Sequence, residues 1–580
     1  MPPPARAGRS AAAAIVLASA LAHALIAGRA AGRLDTLWDE RVDLDIAADL
    51  ARAPIMGEAA PQDPTQARLP MYVTALAQRL TGRDDLALAR AVSVAVGAAG
   101  VVATGGLAWS LFGAEVAAWA SLLLALAPYY LGFSRIAMTE GDVFVAATVA
   151  AACWACVAYA RRPASWRWLL LGILYGLAVG AKVHAALLIL PFGLVPAGMP
   201  SAPASGRVRG RRLWTAVVLS GLAVVVGPCL VQIEPRSGAW VWGVLAAAWT
   251  WIVIAALRDD VAALGRWRAL AGVVVVGALT WLVWMPEHCT SPGILRGIFG
   301  RAVRWDQRAP GVLIADHLRL YSGILWFKAT RPVGVLLLGG LAWTIWKARR
   351  DPGCRLLASA IMLWLVALCM LPLRQTFYLM GIYPLLMIAA AGFGVGLARK
   401  WGGAGTGRVA ARAIILLAPT AGMVAGAVRA YPDYQLFPDD VVGTRWLGAE
   451  ARGYRNLIQT NSDGCEEVVR WCLNNVPAGK RVVSYLWEDH IIRRLLPCAL
   501  GFEFEPRGIS QASDELPPAP AMDRADYVLL HLNNVLGYGD RPPDMPPEDE
   551  LSRDFSVVHV VRRGRTRMAV AWVLERRSTR

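Results

Sequence analysis

Over its first 430 residues the chain repeats one pattern: an apolar run, then a short polar turn. Runs of about 17–22 apolar residues are long enough to cross a hydrocarbon core. They fall at 11–29, 89–110, 115–132, 137–160, 168–181, 183–198, 213–232, 240–257, 267–285, 329–346, 355–373, 377–397 and 409–429, predicting thirteen spans. Two stretches of the first large loop, 30–88, differ. Residues 41–52 place Val42, Leu44, Ile46, Ala47 and Leu50 among charges, and 70–81 pairs apolar with polar residues at helical spacing. Both predict short amphipathic helices lying on the membrane.

After Tyr431 the period changes. EEVVRWCLNNV (466–476) has helical spacing, while 481–487 and 526–532 have strand character. Residues 555–574 read as a hairpin turning at Arg563-Gly564-Arg565, and 535–550 as a loop. The expected fold is therefore an all-α polytopic membrane domain over 1–430, with its first outer loop at 30–88 and a second at 286–328. A soluble α/β domain follows over 431–580.

Composition agrees with that division. The chain is 56% hydrophobic and only 17% charged, against roughly 25% charged in soluble domains. The net charge is +17, but residues 431–580 hold 19 basic and 22 acidic side chains, so the positive excess belongs to the membrane part. It lies in the inter-span loops around Arg161-Arg162, Arg207–Arg212, Arg258–Arg268, Lys347–Arg350 and Arg399–Arg412. With a cytoplasmic N-terminus all of these fall on one side, the positive-inside pattern. Nucleic-acid binding would need that charge gathered on one folded face. An odd number of spans then puts the tail outside, with the acidic loop. Arg6, Arg9 and the Ala-rich run to Ala27 could form a cleaved signal, but an uncleaved first span keeps the acidic loop attached to its helix. Of nine cysteines, Cys153, Cys156, Cys229 and Cys369 lie in apolar runs as small hydrophobes; Cys465, Cys472 and Cys498 share the tail, where one disulfide is expected without a choice of pair.

The membrane part contains 20 Asp and Glu, and eight fall between Asp35 and Asp63. Carboxylates beside a bilayer mark a catalytic base, a metal site or a cation pathway. No Walker loop, HExxH or GxSxG is present. Four polar groups instead map to the predicted outer side: Asp39-Glu40; Glu140 and Asp142 in the turn opening the fourth span; Lys182, between two apolar runs; and Arg374, before the twelfth span. Arg90, Arg135 and His317 are possible additions. Cations to hold phosphate and carboxylates to take a proton suit a reaction on a phosphate-bearing lipid. The plainer alternatives are helix caps for Asp39, Glu40, Glu140 and Asp142, and snorkelling for Lys182 and Arg374. Asp43, Asp45 and Asp49 read as the wet face of the surface helix, and His184 as a satisfied helix residue.

At these residues, and in order from about 10 to 430, the chain resembles the GT-C-type membrane glycosyltransferases. The nearest branch holds the protein O-mannosyltransferases and the lipid A aminoarabinose transferase. The carriers are the Asp39-Glu40 pair, Arg68-Leu-Pro70-Met-Tyr72, Arg90, the Ser134-Arg135…Asp142 turn, GLAVGAK ending at Lys182, and Arg374…Tyr378…Tyr383-Pro384. The resemblance implies a polyprenyl-phosphate-sugar donor, inverting transfer to an acceptor hydroxyl and a bacterial inner-membrane location. It implies Asp39 as base with Glu40 in support. It gives Glu140, Asp142 and His317 to sugar or acceptor, and Lys182, Arg374, Arg90, Arg135 and Tyr378 to the lipid phosphate. No cofactor is required, although Glu140 and Asp142 could hold a divalent cation. The acceptor could be a glycolipid, a protein or a polymer. The rival classes are a transporter, which should show inverted repeats and broken mid-membrane helices, an inactive scaffold for the tail, and an oligosaccharide or polymer transferase of the same fold.

Overall fold

The structure, a computed structural model, describes residues 6–32, 38–52, 69–137, 142–162, 164–194, 270–280, 317–318, 320–369, 376–401, 406–431, 434, 464–486, 503–506, 524–532, 545–546, 548–563 and 568–577. They form two compact units, one of residues 1–29 and 43–425, the other of 30–42 and 426–580.

The first unit is helical. Its elements are α1 (Arg6–Ala31), α2 (Trp38–Arg52), α3 (Leu69–Thr81), α4 (Leu86–Phe112), α5 (Ala114–Leu126), α6 (Pro128–Ser134), α7 (Asp142–Arg161), α8 (Ser165–Ala181) and α9 (Ile189–Leu194). After these come α10 (Leu270–Thr280), α11 (Arg331–Lys347), α12 (Pro352–Cys369), α13 (Tyr383–Trp401) and α14 (Thr406–Ala430). α1, α2 and α14 each have residues in the second unit. Among the described residues six helices are long and apolar enough to cross a membrane, or seven if α5 and α6 count as one bent span. The thirteen predicted runs are not all recovered as single spans, and 213–232 and 240–257 lie outside the described residues.

Three of the differences have local causes. The run 115–132 bends by 63° between α5 and α6, because Pro128 has no N–H to continue the ladder. The runs 168–181 and 183–198 are broken at Lys182, beyond which the chain tightens into a 3₁₀ turn, Val183–Leu188. The predicted run at 377–397 likewise begins as a 3₁₀ segment, Thr376–Ile382, before α13.

Around these breaks α4 packs against both α5 and α7, α7 packs against α8, and α11 packs on α13. A Cβ on Gly340 of α11 would stand 2.6 Å from the backbone of Ala389 and Ala390. This is the small-residue contact by which membrane helices approach closely. Gly113, at φ 95°, reverses the chain between α4 and α5.

The tail domain is α/β. Helix α15 (Cys465–Asn475) precedes β1 (Arg481–Tyr485), β2 (Glu503–Pro506), β3 (Tyr527–His531), the short α16 (Glu548–Asp554), β4 (Phe555–Arg563) and β5 (Met568–Arg576). The sheet order is β2-β1-β3-β5-β4, with β1 parallel to β2 and β3 and the last pairings antiparallel. Alternation divides its faces. Val482, Tyr527 and Leu529 pack with Val468, Val469 and Cys472 of α15, while Val483, Tyr485, Val528 and Leu530 pack with Leu551 and Phe555. Strand β2 was not predicted, and the predicted loop 535–550 runs into α16 because the acidic Glu548-Asp549-Glu550 starts a helix. Cys465 and Cys472 are buried, two turns apart on α15. That separation of about 10 Å is too far for a bridge between them. Cys498 lies outside the described residues.

Candidate functional site

Lys182 stands where α8 stops. Its backbone is extended, at φ −154° and ψ 127°, and its N–H closes the helix by donating to the Ala178 carbonyl at 3.0 Å. The Tyr175 hydroxyl, reaching back from α8, donates to the Ala186 carbonyl at 2.9 Å and holds the tight turn that follows. The break therefore presents the lysine at a helix end rather than along a lipid-facing side.

The ammonium does not snorkel. Lys182 Nζ donates to Asp142 Oδ1 at 2.5 Å, and the two side chains are only 8% and 3% exposed. Asp142 is the first residue of α7, which packs along α8. From the other direction two rings of the 3₁₀ segment Thr376–Ile382 face the same ammonium, Phe377 at 4.6 Å and Tyr378 at 4.7 Å. The Trp364 indole N–H donates to the Tyr378 carbonyl at 3.0 Å, and Gly381 leaves room for that indole, since a Cβ there would fall 2.3 Å from it. The His184 ring lies 6.0 Å from Tyr378 and 6.3 Å from Trp364. One carboxylate and two aromatic faces thus hold a single desolvated cation. Such an ammonium can share its charge with an incoming phosphate oxygen without first shedding water.

Helix α2 carries the second group. It begins at Trp38, so Asp39 and Glu40 lie in its first turn rather than ahead of it. Glu40 is fully buried and shares a helical face with Asp43 (5% exposed), Leu44, Ala47 and Leu50. Asp45 and Asp49 are exposed, as expected, but Asp43 is not on the wet face. Its spacing of three from Glu40 turns it toward the buried side. At the far end the Arg79 guanidinium of α3 donates to the carbonyls of Ala51, at 2.7 Å, and Leu50, at 3.1 Å, capping α2.

Of the remaining predicted residues, Arg90 is buried in α4, Arg135 is fully buried at the C-cap of α6, and His317 is buried with its ring 5.9 Å from that of Tyr321. Glu140 and Arg374 lie outside the described residues. The structure therefore brings together Asp142, Lys182 and Tyr378, adding Phe377, Trp364 and His184, which sequence reasoning did not assign. The aromatic pair Phe377-Tyr378, three residues after Arg374 in the sequence, was the available signal. For a divalent cation at Glu140 and Asp142, the described half of the donor set fits poorly, because Asp142 Oδ1 already holds an ammonium. Among the described residues no cluster of three His, Cys, Asp or Glu suits a metal ion.

Residues 65–231, which include both Asp142 and Lys182, match the family model of dolichyl-phosphate-mannose-protein mannosyltransferases. The chain also superposes on the apo oligosaccharyltransferase of Archaeoglobus fulgidus with a TM-score of 0.50 at 15% identity, covering 91% of this chain and 72% of that one. The fold is that of this oligosaccharyltransferase. ArnT from Cupriavidus metallidurans bound to undecaprenyl phosphate gives a TM-score of 0.49 at 15% identity, with 97% of both chains covered. The A. fulgidus AglB complex with an inhibitory peptide and a dolichol-phosphate gives 0.47 at 15%, covering 90% and 71%. No curated protein matches this sequence. The buried Asp142–Lys182 pair lies inside the segment that matches the mannosyltransferase family model.

Proposed function

We propose that the protein is an integral membrane glycosyltransferase. It moves a sugar from a polyprenyl-phosphate carrier to an acceptor hydroxyl at the outer membrane face, with inversion at the anomeric carbon. The observation that carries this reading is the buried Lys182 ammonium, held by Asp142 and the Phe377 and Tyr378 rings within a GT-C fold.

In a single displacement Asp39 takes the proton of the acceptor hydroxyl. The acceptor oxygen attacks the anomeric carbon, and the bond from that carbon to the phosphate oxygen breaks. The polyprenyl phosphate leaves with the electron pair and an added negative charge. Lys182 meets that charge, with Arg374, Arg90 and Arg135 as further cations. A preorganised cation in a desolvated site stabilises this charge more than water does, because it needs no reorganisation. Asp142 holds Lys182 in place before the donor arrives. Glu40 supports the base from the same helix turn.

The test is sugar transfer from a polyprenyl-phosphate-sugar by Asp39→Asn in membranes that retain folded protein. The expected loss is about 10²–10⁴-fold, the range for removing a general base. Near wild-type transfer overturns the base assignment.

A further inference from the structure

Helix α3 carries an unusual buried face. Most of it is apolar: Leu69, Met71, Tyr72 and Ala75. Two members are not. Thr74 is 0% exposed and Gln78 is 4% exposed, one helical turn apart on the same side. The Thr74 Oγ1 and both the Nε2 and Oε1 of Gln78 have no hydrogen-bond partner among the described residues. Three buried polar atoms at i and i+4 are thus unsatisfied together. A buried polar group left without a partner destabilises the fold, and native structures keep few without a reason. Threonines within helices commonly bond the carbonyl four residues back, as Thr104, Thr148 and Thr344 do here. Thr74 does not.

The chemistry of the pair narrows what would satisfy it. It is uncharged, so it does not call for a phosphate, which the cations of this protein suit better. It is polar, so it does not call for a polyprenyl tail. A carboxamide offers a donor and an acceptor side by side, and a hydroxyl adds one of each. A vicinal diol matches that set, with one hydroxyl accepting from Nε2 and its neighbour donating to Oε1. The placement agrees. α3 packs against α8, the helix that ends at Lys182, and against α4. Its Arg79 fastens the end of α2, the helix that starts with Asp39 and Glu40.

We propose that Thr74 and Gln78 form an uncharged subsite on the buried face of α3 that reads the hydroxyls of the donor's sugar ring. This deepens the glycosyltransferase reading above and rests on it. The subsite explains how a site dominated by charge tells a sugar-bearing lipid from the bare lipid phosphate it releases, because the phosphate is common to both.

The full-length protein in nanodiscs is titrated with undecaprenyl phosphate and with undecaprenyl phosphate carrying mannose, glucose or 4-amino-4-deoxyarabinose. The wild type, Gln78→Leu and Thr74→Val are compared, and lipid-free thermal stability is read for each. The wild type is expected to prefer at least one sugar-bearing lipid over undecaprenyl phosphate. Each variant should reduce that preference about tenfold or more, bind undecaprenyl phosphate as before, and melt at the wild-type temperature or higher. A residue needed only for packing, or one that merely holds a water, gives a different signature. Retained preference in both variants overturns the subsite, as does a lowered melting temperature with equal loss for all lipids. A wild type that binds undecaprenyl phosphate without preferring any sugar overturns the subsite alone. Binding to none of the lipids overturns the transferase reading and the subsite with it.

Discussion

Asp85 and Asp142 occupy nearly the same place in two helices, at the N-terminal ends of α4 and α7, yet they do opposite work. Asp85 is about half exposed. It accepts from the Leu88 N–H at 2.8 Å and from the adjacent Arg83 guanidinium at 2.8 and 3.0 Å. Its partners are local, and removing it would trouble only the start of α4. Asp142 is buried and bonds across forty residues to a cation at the end of the next helix. A carboxylate at a helix start is thus a cap or a site component according to whether its partner is its own backbone or a distant charge. Position in sequence does not distinguish the two; burial and reach do.

The largest effect is expected at Lys182. Lys182→Met leaves Asp142 buried without its cation, which costs about 3–5 kcal/mol in comparable pairs. Melting temperature should fall sharply and transfer should drop by about 10²-fold or more. The double variant Asp142→Leu/Lys182→Met should recover most of the melting temperature with no recovery of transfer. Recovery of both would reduce the pair to a structural element like Asp85. The aromatic seat comes next. Cation–π contacts contribute about 0.5–2 kcal/mol, so Phe377→Leu or Tyr378→Leu should slow transfer by about 2- to 30-fold, with smaller changes in melting than Lys182→Met. Asp85→Ala gives the smallest effect. It should lower stability by about 1 kcal/mol, the typical worth of an N-cap, and leave transfer within twofold. The Arg83 bond, then the Leu88 N–H, hold the Asp85 carboxyl below its usual value. Its contribution is therefore complete above about pH 4 and disappears as pH falls through the lowered native value. Wild type and Asp85→Ala should converge in unfolding free energy at strongly acid pH.

Much of the fold was legible because membrane helices announce themselves by length and tail strands by alternation. The apolar runs at 89–110 and 137–160 became α4 and α7, and the amphipathic stretch at 70–81 became α3, within a few residues. The breaks were not legible as structure. Hydropathy runs straight through Pro128 and Lys182, and only packing decides whether a proline bends a span or a lysine ends one. At the site, Lys182 and Tyr378 were visible as candidates, but their meeting with Asp142 was not, since the contacts join residues 40 and 196 positions apart. Asp43 was misjudged for a related reason: a charge three residues after Glu40 reads as solvated until the helix start moves back to Trp38. Phe377 passed as an ordinary apolar residue opening a span, when its ring faces the lysine.

The forty-residue separation between Asp142 and Lys182 also has a consequence for how the protein is made. The acid leaves the ribosome first. At ~5–20 residues per second its cation follows ~2–8 s later. During that interval α7 must sit in or beside the insertion machinery with an unneutralised carboxylate at its end, and it becomes comfortable in lipid only when α8 has folded back beside it. The two helices should therefore enter the bilayer as a hairpin, with the Asp142–Lys182 pair made before the rest of the bundle exists.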